Sequence, residues 1–187
     1  MTYSVLAVSA AEKLNTVISS MLSDSGCAPI RFTSSVGEAK RIWSGQEFDF
    51  LIINSPLPDD TGLRFAIDSA ASRGSVVLLL TRAEIYDDIY EKLCPHGVFV
   101  LAKPLSRQSL ATALDWMASA RERLRKLEQK TISVEEKMEE IRLVNRAKWR
   151  LIEQRGMDEP TAHRYIEKQA MDRCVTRRAV AEEILSG

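Results

Sequence analysis

The sequence predicts an α/β fold: a five-stranded parallel (βα)5 sheet with helices on both faces, continued by a long helix and closed by a small helical bundle. Three patterns predict it. Five short apolar, β-branched runs alternate with five amphipathic segments within residues 1–118. A three-four alternation of apolar residues begins at Met117, and two further amphipathic segments lie beyond Gly156.

Each element follows in order. "YSVLAV" at Tyr3 to Val8 is the first strand, and Glu12 to Ser23 carries Leu14, Val17, Ile18, Met21 and Leu22 at helical spacing. The pattern recurs as "PIRFTS" then "GEAKRIW", "FDFLIIN" then "GLRFAIDSA", "SVVLLLT" then "EIYDDIYEKL", and "GVFVLAK" then "SLATALDWM". Parallel pairing requires a crossover long enough to hold a helix, which this alternation supplies. The unbroken apolar runs "FLII" and "VVLLL" suit central strands buried on both faces.

Composition narrows the class. The chain has 187 residues, 45% hydrophobic and 28% charged, as expected of a globular protein with one domain of ordinary size and an appendage. No apolar run approaches the ~20 residues of a membrane span, and no basic stretch leads into an apolar signal core, so a cytoplasmic protein is expected. Cys27, Cys94 and Cys174 are widely spaced with no C-x-x-C pair, which favours buried free thiols over a disulfide framework or zinc site. The 26 basic and 26 acidic residues cancel overall. From Arg142 to Arg178, however, ten Lys or Arg face five Asp or Glu, a local excess that can meet a phosphate backbone.

In a parallel α/β sheet, chemistry gathers beyond the carboxyl ends of the strands. Those ends carry Ser9 and Ala10, Asn54, Thr81, and Lys103 before Pro104. With Pro58 and Gly62 following Asn54, and with "LLLTRA" and "LAKPL", residues 1–118 resemble a response-regulator receiver domain. The resemblance implies a flavodoxin-like fold and a site where two acids after the first strand bind Mg²⁺ beside a phosphoacceptor Asp. This chain departs from it at all three positions, with Ser9, Ala10 and Asn54. An amide is a poor nucleophile and a hydroxyl and a methyl are poor Mg²⁺ ligands, so a degenerate, unphosphorylated receiver is expected. Asp59 and Asp60 lie nearby but beyond the strand end. Thr81 and Lys103 then read as structural, Lys103 bonding strand-end carbonyls or Asn54 itself.

From Met117 the apolar alternation runs Met117, Ala120, Leu124, Leu127, Thr131, Val134, Met138, Ile141, Asn145, the a and d positions of about four heptads. A dimeric coiled coil is expected, with 119–141 as the linker. In a parallel pair Arg123 would face Glu128 and Lys130 would face Glu135 attractively, whereas Lys137 and Arg142 would repel. A long helix packed on its own domain is the competing reading.

The helix should continue through "RAKWRLIEQR" to a left-handed cap at Gly156. Asp158 then caps a second helix, with Pro160 in its first turn, and Thr176 caps a third ending near Leu185. Ala162, Ile166 and Ala170 form one apolar stripe and Val180, Ala181 and Ile184 another, so the segments should pack as a three-helix bundle over residues 142–187. "NRAKWRLIEQRGMDEPTAHRYIEKQAMDRCVTRRAVAEEIL" is similar to the ANTAR family, the RNA-binding output domain of transcription antitermination regulators. Trp149 stands where many members carry a small residue, and either packs in the bundle or offers a stacking surface.

The resemblance implies a protein that binds hairpins in nascent messenger RNA and prevents terminator formation, here as the coiled-coil dimer; with no nucleophile beside a base, no metal constellation and no phosphate-binding Gly loop in the sequence, no enzymatic activity, cofactor or metal is expected. Lys148, Arg150, His163, Arg164, Tyr165, Lys168, Arg173, Arg177 and Arg178 form the pool of RNA contacts. Ala147, Ala170, Met171 and Ala181 read as packing positions, and Tyr165 and His163 suit either role. A DNA-binding regulator and a protein-docking module are the alternatives, and a regulatory protein or ligand would act on the degenerate receiver.

Overall fold

The computed structural model describes residues 2–71 and 74–186. The chain divides into two compact units, Met1–Lys126 and Leu127–Gly187. The first contains β1 (Tyr3–Val8), α1 (Glu12–Asp24), β2 (Cys27–Thr33), α2 (Val36–Gly45), β3 (Phe50–Asn54), α3 (Leu63–Ala70), β4 (Val76–Arg82), α4 (Tyr86–Leu93) and β5 (Phe99–Lys103). It ends within α5, which runs from Arg107 to Arg155. The second unit holds the rest of α5, then α6 (Glu159–Asp172) and α7 (Arg177–Ser186).

The five strands are all parallel in the order β2-β1-β3-β4-β5. Side chains alternate across the pleat and build one core on each face. Val5, Phe50, Ile52, Leu78 and Leu80 meet Ile18, Met21 and Leu22 of α1 and Leu110, Ala113, Leu114 and Met117 of α5. Leu6, Val8, Leu51, Ile53, Val77 and Leu79 meet Val36 and Ala39 of α2, Phe65 and Ala66 of α3, and Ile89 and Leu93 of α4. Every residue of β3 is buried, as its continuous apolar run requires of a central strand. The strand order reverses between β1 and β3, which opens a crevice at their carboxyl ends.

The beginning of α5 is held to its unit by a polar cluster as well as by the apolar face. Asp49 Oδ1 accepts from Arg121 Nε at 2.8 Å and Arg125 Nη2 at 2.9 Å, while Asp49 Oδ2 accepts from the Ser4 amide at 2.9 Å. Tyr3 donates to Glu122 at 3.0 Å and lies under the Arg125 guanidinium. Burial works against the Asp49 charge, yet the Ser4 amide and the two guanidinium groups outweigh it and hold the carboxyl below the usual carboxylate range.

In the second unit Val144, Ala147 and Leu151 of α5 pack with Ala162, Ile166 and Ala170 of α6 and with Val180 and Ala181 of α7. Gly156 ends α5 at φ +60°. Asp158 accepts from the Thr161 amide at 2.9 Å, and Thr176 accepts from the Ala179 amide at 3.2 Å. These bonds satisfy donors that the first turns of α6 and α7 leave unpaired. No helix among the described residues is long and apolar enough to cross a membrane.

Candidate functional site

The strand ends of the first unit bring Ser9, Asn54 and Lys103 together, with Thr81 buried on the intervening strand. Asn54 Nδ2 donates to Ser9 Oγ at 3.1 Å. Lys103 Nζ donates to Asn54 Oδ1 at 2.9 Å and to the Ser55 carbonyl at 2.6 Å. The amide thus uses one end on the hydroxyl and the other on the ammonium. Burial lowers the Lys103 pKa, and nearby Arg82 lowers it further. Its contacts are two neutral acceptors, where a phosphoacceptor Asp would place a charge.

The two nearby acids are engaged elsewhere. Asp59 Oδ1 and Oδ2 accept from the amides of Val36 and Gly37, each at 3.0 Å, so its carboxylate caps α2. Those amides lower its pKa. Asp60 accepts from the Gly62 amide at 2.7 Å and closes the turn into α3. Ala10 is exposed and adds no ligand atom. Among the described residues, no three His, Cys, Asp or Glu side chains form a group that could hold a metal ion.

The structure sorts the basic pool of the second unit by what each side chain already holds. Lys148 pairs with Glu159 at 2.6 Å, and Arg173 makes two 2.6 Å bonds to Glu183. Arg177 reaches Glu140 at 3.1 Å and Glu167 at 3.9 Å, and Arg178 pairs with Glu182 at 2.8 Å. Their position at the start of α7, unfavourable for the helix dipole, therefore has an intramolecular compensation. Arg150 donates to the Leu185 carbonyl, tying α5 to the end of α7. His163 sits 3.3 Å from Glu167. Tyr165 is half-buried against the bundle and accepts from Arg155 at 3.0 Å.

Arg164 and Lys168 differ: both are exposed one turn apart on α6, and among the described residues neither forms a close ion pair, Arg164 acting on Asp158 only through its field. One turn further on stands Met171, 77% exposed. The packing role expected for Met171 is thus corrected. The buried stripe is Ala162, Ile166 and Ala170, and the next residue is turned about 100° away from it. Ala147, Ala170 and Ala181 are buried as packing residues. The expectation of three buried thiols is corrected likewise: Cys27 is buried, but Cys94 and Cys174 lie in exposed turns after α4 and α6.

Along α5 the apolar alternation serves two purposes. Met117 is fully buried in the core of the first unit, and Ala120 and Leu124 pack against that core. From Leu127 the remaining members, Thr131, Val134, Met138, Ile141 and Asn145, are exposed, as is Trp149. Nothing in the apolar alternation marked where the first unit's core ends. Residue-type reading also missed the Asp49 cluster, whose trace in the sequence is the one-turn spacing of Arg121 and Arg125 just past the buried face of α5.

Comparison with known proteins places these two units. Residues 133–185 match the ANTAR domain. Over 169 residues the chain is 30% identical to the transcriptional regulatory protein PdtaR of Mycobacterium tuberculosis, covering 90% of this chain and 82% of that protein. It is 32% identical over 101 residues to the aliphatic amidase regulator of Pseudomonas aeruginosa, 54% of this chain and 50% of the other. The fold of the first unit is that of the chemotaxis response regulator CheY4 of Vibrio cholerae, with TM-score 0.55 and 21% identity over 63% of this chain and 99% of that one. With a receiver fold in front and an ANTAR domain behind, the chain belongs to the ANTAR family of transcriptional regulators.

Proposed function

We propose that this protein is a dimeric, non-enzymatic, cytoplasmic RNA-binding antiterminator whose ANTAR domain, residues 142–187, holds hairpins in nascent messenger RNA and so prevents terminator formation. Residues 119–141 link it to a receiver domain, residues 1–118, that is not phosphorylated at the usual position. A regulatory protein or ligand acting on that domain takes the place of phosphorylation.

The observation that carries the RNA reading is the outer face of α6. Arg164 and Lys168 present exposed cations one turn apart on α6, and Met171 adds an exposed apolar surface beside them. Cations position a phosphate backbone, and an adjacent apolar side chain can cover an unstacked loop base. Lys148, Arg173, Arg177 and Arg178 hold the bundle in shape through their acid partners and reach RNA only by exchanging them. Arg150, His163 and Tyr165 complete the neighbourhood.

A gel shift tests this, comparing a pool of stem-loop RNAs with randomised loops against duplex DNA. Binding to RNA that weakens steeply with salt is expected. The double variant Arg164→Gln, Lys168→Gln should reduce the dependence of log K on log salt by about two, one per phosphate contact. Tight binding to duplex DNA with none to RNA would reject the reading.

A further inference from the structure

Beside the strand-end cluster, the first unit holds a cavity of about 220 Å³ between α1 and the loop that joins β5 to α5. Leu14, Val17 and Met21 of α1 line it at helical spacing, and Pro104, Leu105 and Leu110 line it from the other side. Met21 and Leu110 are buried in the core, whereas Val17 is 49% exposed. Lys103, Ser106 and Arg107 complete the lining, so its charged members among the described residues are two cations and no acid.

Both cations have capacity to spare. The Lys103 ammonium uses two of its three donors, on the Asn54 amide oxygen and the Ser55 carbonyl, and neither acceptor carries a charge. Arg107 reaches Asp24 at 3.4 Å with both side chains mostly exposed, a contact of little strength that an incoming anion can replace. The same rim is the start of α5, whose dipole adds positive potential there. Reciprocal bonds hold it in shape: the Ser109 amide donates to Ser106 Oγ at 2.9 Å, and the Ser106 amide donates to Ser109 Oγ at 3.1 Å.

We propose that this cavity binds a small monocarboxylate, with its apolar body between α1 and Leu105 and Leu110 and its carboxylate at Arg107, in the field of Lys103. The proposal rests on the reading that a ligand acts on the receiver domain, and gives that ligand a place and a chemistry. Size sets the body: a cavity of about 150 Å³ accepts benzene and drug-sized sites begin near 300 Å³, so one ring or a short chain fits. Charge sets the head. A cation would be repelled, and a neutral molecule would cover the two cations without pairing them. A phosphate dianion would give up more hydration than six apolar side chains return, whereas a carboxylate matches the fork of a guanidinium. Occupancy reaches the strand ends through Lys103, whose ammonium an added anion draws away from Asn54 and Ser55.

The test uses the full chain with 13C-methyl methionine, read by NMR near pH 7, with hexanoate and phenylacetate as probes and hexanamide and phenylacetamide as their neutral counterparts. Met21 lines the cavity and reports on it, its signal identified by Met21→Leu; Met138 and Met171 lie in the other unit. Both acids should shift the Met21 signal saturably, with Kd on the order of 1 mM, and leave Met138 and Met171 in place. The amides should bind at least about tenfold more weakly, since they lack the charge-assisted bond to Arg107. Val17→Glu should abolish the shift and Val17→Ile should retain it. No saturable Met21 shift with either acid would overturn the proposal and leave the cavity to a protein partner. Equal shifts with acid and amide, or a shift that survives Val17→Glu, would also overturn it. This readout needs no RNA. A protein that binds the acids but ignores the stem-loop RNA pool rejects the antiterminator reading alone, and one that binds the pool but neither acid rejects the carboxylate site alone.

Discussion

At the scale of single residues, the strand ends carry Ser9, Ala10 and Asn54, and Lys103 works as a structural donor among them. Its ammonium joins β5 to the end of β3 through the Asn54 amide oxygen and the Ser55 carbonyl. Lys103→Met should leave these acceptors without their donor and cost about 1–3 kcal/mol in urea unfolding. Incubation with a small-molecule phosphodonor and Mg²⁺ should leave the intact mass unchanged, and a hydroxylamine-sensitive phosphoryl adduct would contradict this. The identities of the strand-end residues were legible in the sequence, because a parallel sheet dictates which residues end its strands. The employment of Asp59 was not: its carboxylate reaches back to Val36 and Gly37, a contact that only tertiary structure creates. Met171 was misread because the family pattern outweighed the four-residue stripe, which itself turns Met171 away from the core.

At the scale of elements, two glycines separate backbone cost from packing cost. Gly156 ends α5 at φ +60°, and an added Cβ would meet nothing within 4 Å, so Gly156→Ala should cost only the left-handed backbone penalty of about 1–2 kcal/mol. Gly62 has φ +78° and its Cβ would lie 2.7 Å from Ile53 Cγ2, so Gly62→Ala should cost more, about 2–4 kcal/mol, by the same measurement. The attachment of α5 depends on Asp49. Removing its charge with Asp49→Asn should cost about 2–4 kcal/mol near neutral pH, because Arg121 and Arg125 lose their shared anion in a mostly buried site. Since the folded pKa of Asp49 lies below the unfolded value of about 3.9, its contribution is complete above that value and is lost as pH falls through the folded one. The difference between wild type and Asp49→Asn should accordingly stay level from about pH 7 to 5 and shrink below about 4. Strands and helices were legible from period alone. The division of labour along α5 was not, because the buried Met117 and the exposed Met138 obey the same spacing and differ only in what the rest of the chain brings against them.

At the scale of the whole molecule, the two units carry opposite kinds of information. The receiver fold keeps its sheet and both cores while its strand ends hold a hydroxyl, an amide and an ammonium. The ANTAR domain commits Lys148, Arg173, Arg177 and Arg178 to acids of its own unit and leaves Arg164, Lys168 and Met171 outward. A few outward cations on a small bundle, in a chain of zero net charge, suit a localised contact more than blanket attraction to any polyanion. The most direct measurement is ultraviolet crosslinking of the protein to RNA in its own cells, followed by sequencing of what is recovered. The account predicts enrichment of untranslated leaders in which stem-loops precede a terminator, lost in the Arg164→Gln, Lys168→Gln variant. Recovery of no transcript above an uncrosslinked control, with promoter DNA bound instead, would contradict it.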